Sequence, residues 1–161
     1  MLNIQPLSGR HNRSQFQSGS VELDRWFHQT AQQHQKRGVS KTFVAVDDAQ
    51  PAYILGYYAL TACEVLTHEL PVELAKRLPR RVPGIRLGRL AVAEANQRQG
   101  LGELLLMNAI RRSRMVVQHV GVHALFVDAK DTQAAAFYLR YGFLQLPDQP
   151  LQLVLVLAGL D

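Results

Sequence analysis

The stretch Gln97-Arg98-Gln99-Gly100-Leu101-Gly102 decides how this chain is read, because it lies between an apolar strand candidate, Ile85 to Val92, and a long helical pattern. The helix candidate starts near Gln99 and runs through Leu104, Leu105 and Ala109 towards His119. Gly100 and Gly102 lack a Cβ, so an anion can approach the backbone closely. The first-turn N–H groups of a helix have no carbonyl partner of their own, and the helix dipole draws phosphate to that end. The six residues therefore fit a pyrophosphate cradle. Two glycines at a helix start also fit a plain tight turn, and the flanking sequence has to decide between them.

Working outward, the flanks alternate between strand and helix patterns. Asn3 to Pro6 suits a short first strand, and His11 to Gln17 is polar, loop-like or briefly helical. Ser20 can cap a helix whose first turn carries Glu22 and Asp24, with Leu23, Trp26, Phe27, Thr30 and Ala31 at helical spacing. Gly38 ends that helix, with Lys36 and Arg37 in its last turn as the dipole prefers. Thr42 to Val46 and Tyr53 to Val65 read as an antiparallel hairpin around a turn at Asp47 to Pro51. Leu66 to Gly84 holds Pro71, Pro79 and Pro83 around a short helix, Val72 to Leu78. Beyond the main helix, Ala124 to Val127 is a strand opened by His123, and Asp131 caps a helix that ends before Gly142. Phe143 to Leu146 and Leu151 to Leu157 close the sheet, within an apolar stretch that runs to Leu160. The order predicts an α/β sandwich: a mixed, mainly antiparallel sheet flanked by helices.

A length of 161 residues with 47% apolar side chains suits one domain, 1–161, with a single core. Met1 to Gln15 is polar and mixed, so no signal peptide is expected. No apolar run reaches the roughly 18 residues of a membrane span, so a soluble protein is expected, with no membrane partner. The sole cysteine, Cys63, cannot form an intrachain disulfide, which is compatible with a reducing cytoplasm. The net charge of +5 favours polyanionic partners. Lys76, Arg77, Arg80, Arg81, Arg86 and Arg89 crowd one segment that contains no acid, and form a candidate electropositive surface for RNA phosphates. A solvated loop with incidental charge is the alternative.

Gln97-x-x-Gly100-x-Gly102 after a strand, followed by Asp131-x-x-Ala134-x-x-Phe137-Tyr138-x-x-x-Gly142-Phe143, resembles the GNAT N-acetyltransferases; the two signatures span residues 84 to 146. In the N-terminal half, Phe16-x-Ser18-Gly19-x-x-x-Leu23-Asp24-x-Trp26-Phe27 and Ser40-Lys41-Thr42-Phe43-Val44-Ala45 are similar to the TacT-like toxins of that superfamily. The resemblance implies acetyl-CoA as cosubstrate, held by Gln97, Arg98, Gln99, Gly100, Leu101, Gly102 and Glu103. It also implies strands that splay apart, freeing backbone at Leu90, Ala91 and Val92 to bind the pantetheine amides. It implies further that the acceptor is the amino group of an aminoacyl-tRNA, that acetylation blocks translation, and that a ribbon-helix-helix antitoxin restrains the enzyme.

Moving an acetyl group from a thioester to an amine needs a free amine, a polarised carbonyl and a proton for the departing thiolate. By the resemblance, Tyr138 supplies that proton; Tyr141 is its rival, and packing of either ring is the plain alternative. No carboxylate stands between Gly84 and Ala93, and Glu94 falls beyond the strand's expected end, so the usual place for a general base is empty. A peptide α-amine titrates near pH 7.7–8.0 and a lysine near 10.4, so the missing base leans towards an α-amine acceptor or a water relay. Asp128 can line the site or serve the structure. Asp131 can cap its helix, where the wider family often has Asn. His11, His28, His34, His68, His119 and His123 make no convincing ligand set, and no metal is expected. Tyr57, Tyr58 and Phe43 are candidate stacking surfaces for an unpaired RNA end, although strand packing is the better reading of them. A homodimer would widen the surface available to tRNA. A protein or small-amine acetyltransferase without a toxin role is the alternative, and a binding module without catalysis is a third.

Overall fold

The computed structural model describes residues 1–158. In chain order the elements are β1 (Leu2–Pro6), α1 (Val21–Gln29), α2 (Ala31–Lys36), β2 (Lys41–Asp47), β3 (Gly56–Leu66), α3 (Val72–Ala75), β4 (Arg81–Val92), α4 (Leu101–Val117), β5 (Ala124–Asp128), α5 (Thr132–Arg140), β6 (Leu144–Leu146) and β7 (Gln149–Val156). The strands follow the order β1-β2-β3-β4-β5-β7-β6 in one sheet. β1–β2, β2–β3, β5–β7 and β6–β7 are antiparallel, and β4–β5 is parallel. This is the mixed, mainly antiparallel α/β architecture expected. The chain packs as two compact units, Met1–Thr61 with Arg89–Ala109, and Ala62–Gly88 with the described residues from Ile110 onward.

The first unit is built on aromatic stacking. Phe27 and Tyr57 lie nearly parallel at 4.2 Å, and Phe16 meets them edge-on at 5.1 and 5.5 Å. Phe27 and Tyr57 are fully buried, and each such side chain stabilises the fold by about 1.5–3 kcal/mol. Leu7, Ala31, Val44, Val46, Ile54, Ala91 and Ala93 complete the cluster. Ser20 caps α1 by accepting from the Leu23 amide at 3.3 Å. The single helix expected up to Gly38 is divided at Thr30, which leaves helical geometry at φ −122° while its N–H still donates to the Trp26 carbonyl. Gly38, at φ +73°, ends α2. The Gln35 side chain then ties the layers together, donating to the Leu7 carbonyl at 2.6 Å and accepting from the Thr42 amide at 2.9 Å.

In the second unit, β5 pairs in register with β4 from Gly84↔Ala124 to Leu87↔Val127, and β4 continues to Val92. Its core holds Val65, Leu70, Val82, Phe126, Leu146 and Val154. β4 starts four residues earlier than expected, at Arg81 rather than Ile85. It tolerates Pro83, which lacks an N–H but whose carbonyl accepts from the His123 amide at 2.9 Å. α3 is a single turn rather than a helix to Leu78: Lys76 turns extended at ψ 130°, and Arg77 follows at φ +66°, outside helical space. α4 is two residues shorter than expected at each end. The expected final strand is observed as Gln149–Val156, while Gly159 and Leu160 lie outside the described residues. Among the described residues no helix is long and apolar enough to cross a membrane.

Gly84 marks the tightest approach in this unit. A Cβ there would drive into the Phe126 ring and stand 3.0 Å from the Ala124 carbonyl oxygen. Gly84→Ala is therefore expected to destabilise the protein by about 1–3 kcal/mol through overpacking. Urea unfolding measures it, and Gly121→Ala, where an added Cβ meets nothing within 4 Å, is the control.

Candidate active site

The cradle lies in the first unit, and neighbouring segments position it. After β4 the chain makes one 3-10 turn, Glu94–Asn96, and Gln97 is extended again. Arg98 at φ +65° and Gly100 at φ +83° then swing the backbone into α4. Nothing lies within 4 Å of where a Gly100 Cβ would stand, so this corner is open to a ligand. By helix geometry the amides of Leu101, Gly102 and Glu103 have no intrahelical acceptor, so they are available to a phosphate. Leu101 is buried and anchors the turn, whereas Arg98, Gln99, Gly100 and Glu103 are exposed. These features fit a pyrophosphate.

Gln97 has a different task from its neighbours. Its side-chain amide donates to the Ser18 carbonyl at 2.8 Å and to the Val92 carbonyl at 3.0 Å. Ser18 is itself fixed by Asp24, whose carboxylate accepts from the Ser18 amide at 3.1 Å and from its hydroxyl at 2.6 Å. The Glu94 amide donates to the Gln17 carbonyl at 2.8 Å, and the Ala93 amide to the Leu55 carbonyl at 2.8 Å. The segment around Ser18 thus supports the cradle from behind. Gly56 lets β4 and α4 come close, since a Cβ there would stand 2.9 Å from Leu105 and 3.0 Å from the Ala91 carbonyl oxygen. Leu90 and Val92 are half-buried and Ala91 is buried. The structural tasks of Ser18, Asp24 and Gly56 were not visible in the sequence, although Ser18 and Asp24 stood in the quoted N-terminal pattern.

Tyr138 lies in the second unit, on α5, whose N-terminus Asp131 caps by accepting from the Ala134 amide at 2.8 Å. Phe137 and Phe143 meet its ring edge-on at 5.2 and 5.6 Å. Tyr138 is 5% exposed, yet among the described residues its hydroxyl makes no hydrogen bond. Burial pushes the hydroxyl above the ordinary tyrosine range, and the negative charge of Asp128 pushes it further. Such a group stays protonated at neutral pH and has a proton to give. Tyr141 is half-buried and packs edge-on against Phe137 at 5.1 Å.

The six cations of the basic segment differ in their surroundings. Lys76, Arg77 and Arg80 are exposed and form no ion pair among the described residues. Arg81 binds Glu64 at 2.9 Å, and Arg86 binds Asp128 at 2.9 Å. Both acids come from other strands, so the absence of acid within the segment was misleading. Arg89 belongs to the first unit and lies over the Trp26 ring at 4.2 Å. Phe43, Tyr57 and Tyr58 are buried, which removes them as stacking surfaces for RNA. Tyr57 donates to the Leu23 carbonyl, Tyr58 to Asn108, and Phe43 stacks on Tyr58. Among the described residues no group of three His, Cys, Asp or Glu side chains is placed to hold a metal ion.

Comparison with known proteins gives this geometry a context. The acetyltransferase (GNAT) domain model matches residues 38–145. A curated relative from Mycobacterium tuberculosis (strain ATCC 25618 / H37Rv), a tRNA-acetylating toxin, is 33% identical over 94% of this chain and 89% of its own length. The structure of AtaT complexed with acetyl-methionyl-tRNAfMet is 25% identical, covers 97% of this chain and 95% of its own, and superposes with a TM-score of 0.90. AtaTR bound with AcCoA is also 25% identical, with a TM-score of 0.84 over 97% of this chain and 94% of its own. On the match to the domain model and the whole-length relative, the chain belongs to the GNAT acetyltransferase family.

Proposed function

We propose that this enzyme transfers the acetyl group of acetyl-CoA to the α-amino group of an aminoacyl-tRNA and so acts as a toxin that blocks translation. One observation carries the substrate: the likeness to a tRNA-acetylating toxin extends over 94% of the chain, well beyond the residues 38–145 that define the acetyltransferase domain. It therefore takes in the Ser18 to Asp24 segment that supports the cradle. Acetyl-CoA supplies an activated acetyl group. Around it, Gly100, Leu101, Gly102 and Glu103 bind pyrophosphate through backbone N–H groups, Arg98 and Gln99 flank that site, and Gln97 holds its shape. Leu90, Ala91 and Val92 offer strand backbone to the pantetheine, and Tyr138 protonates the leaving sulfur. Lys76, Arg77 and Arg80 attract tRNA phosphates, whereas Arg81, Arg86 and Arg89 are each engaged within the fold. The whole chain works as a single catalytic domain in the cytoplasm, as a homodimer. A ribbon-helix-helix antitoxin restrains it, its acidic residues meeting the exposed cations.

The direct test is mass spectrometry of charged tRNA after incubation with enzyme and acetyl-CoA. Acetylated aminoacyl ends are expected; an unchanged tRNA pool beside acetylated lysines would refute the substrate. Induction of the wild type alone in a bacterial host should arrest growth, and co-expression of the antitoxin should restore it.

Three variants probe the separate parts. Tyr138→Phe keeps the ring and removes the proton, so turnover should fall by about 10²–10⁴ with acetyl-CoA affinity retained. Normal turnover in Tyr138→Phe with a dead Tyr141→Phe would reverse the assignment. Gly102→Glu places bulk and negative charge in the cradle and should abolish acetyl-CoA binding in calorimetry. Reversal of Lys76, Arg77 and Arg80 to Glu should weaken tRNA binding and leave acetyl-CoA affinity intact. The salt dependence of tRNA binding should also flatten, by about 0.7–0.9 in log–log slope per lost phosphate contact.

A further inference from the structure

We propose that Asp24 is a positioning residue for acetyl-CoA: acting through Ser18 and Gln97, it holds the backbone of the pyrophosphate cradle in its binding shape. This role rests on the cradle reading above and deepens it. Asp24 and Ser18 lie ahead of residues 38–145, which match the acetyltransferase domain, so the cosubstrate site extends into the N-terminal arm.

The turn into α4 needs to be held. Arg98 takes φ +65° without being glycine, a conformation that persists only where the surrounding structure over-determines it. Its own side chain is exposed, so the hold comes from the residue before it. Gln97 Nε2 donates to the Val92 carbonyl at 3.0 Å and to the Ser18 carbonyl at 2.8 Å. Val92 is fixed as the end of β4, whereas Ser18 lies between β1 and α1, outside any helix or strand, and requires a support of its own. Asp24 gives that support. Its two carboxylate oxygens each accept from the Ser18 amide at 3.1 Å, and Oδ1 also accepts from the Ser18 hydroxyl at 2.6 Å. Gly19, at φ +95°, lets the arm turn there, and the Ser18 hydroxyl oxygen accepts from the Ser20 amide at 3.2 Å. Ser18 is only 7% exposed, so water competes poorly for these bonds. Asp24 stands in turn on a fixed helix: the Leu23 carbonyl accepts from the Tyr57 hydroxyl at 2.8 Å, and Phe27 is fully buried.

An unbroken series of contacts therefore runs from the aromatic core through α1, Asp24, Ser18 and Gln97 to the strained Arg98. Donors that are already set bind a ligand more tightly, because their ordering does not have to accompany binding. Releasing Ser18 should then weaken acetyl-CoA through its pyrophosphate and leave the chemistry at the thioester unchanged. An acid in the first turn of α1 also complements the helix dipole, as Glu22 does. The dipole role does not call for three contacts with Ser18, and Glu22 makes it separable by experiment.

The test is calorimetry and kinetics on the full chain. Asp24→Asn replaces one accepting oxygen with an NH₂ group; it should raise the Kd of acetyl-CoA about tenfold and keep kcat at saturating acetyl-CoA within about twofold. The KM of acetyl-pantetheine, a donor without pyrophosphate, should not change. Gln97→Leu should weaken acetyl-CoA to a similar degree, and the double variant should be no worse than the more damaging single, since both cut one connection. Glu22→Gln should bind as wild type does. Ser18→Ala keeps the backbone contacts and should weaken acetyl-CoA about threefold, which decides the matter if Asp24→Asn does not fold. Wild-type affinity in a folded Asp24→Asn or in Ser18→Ala would overturn the proposal. So would an equal loss in Glu22→Gln, an equal loss with acetyl-pantetheine, or strictly additive effects of Asp24→Asn and Gln97→Leu. Normal acetyl-CoA binding by Gly102→Glu would instead remove the cradle reading itself, so the two failures are distinguishable.

Discussion

One side-chain amide, that of Gln97, sets the shape of the first unit around the cradle. It donates to the Val92 carbonyl at the end of β4 and to the Ser18 carbonyl in the N-terminal arm, so a segment 79 residues away meets the strand end at one nitrogen. A charged side chain could not do this as economically, because a neutral amide offers two N–H donors in one plane without carrying charge beside a phosphate site. Its bonds leave the backbone from Arg98 to Gly102 to follow, and nothing lies within 4 Å of where a Gly100 Cβ would stand. The Asp24 carboxylate fixes Ser18 from the other side with three contacts, extending the support back to the first turn of α1.

Much of this was legible in the sequence because the relevant signals are local. Ser20 and Asp131 cap the helices they precede, and Gly38 and Gly142 take the positive φ expected of helix ends. The paired glycines sit where a strand passes into a helix. What the sequence hid depends on contacts between distant residues. The six cations looked alike along the chain, but Glu64, Asp128 and Trp26 engage three of them from other elements. Gln97 read as a member of a ligand-binding motif, and the contacts of its side chain to Ser18 and Val92 were hidden. The break at Thr30 had no local marker beyond a β-branched side chain in a helical pattern.

Tyr138 illustrates how burial and chemistry are linked here. Packing between Phe137 and Phe143 fixes the ring, and the same low-dielectric surroundings disfavour the phenolate. An exposed tyrosine would be a mobile acid with water competing for its proton. The aromatic residues that flank it are thus part of what keeps this hydroxyl protonated.

The environment of Cys63 has a practical side. It is the protein's sole thiol, half-buried on β3, and burial raises it above the ordinary cysteine range, with Arg86 opposing and Asp128 reinforcing that shift. Thiolates, not thiols, attack disulfide and maleimide reagents, so this side chain reacts slowly near neutral pH. Acetyl transfer releases one free thiol per turnover, on CoA. A thiol-specific chromogen can therefore follow the reaction continuously with little background from the protein, and any slow labelling of Cys63 would report on the surroundings of the Arg86–Asp128 pair.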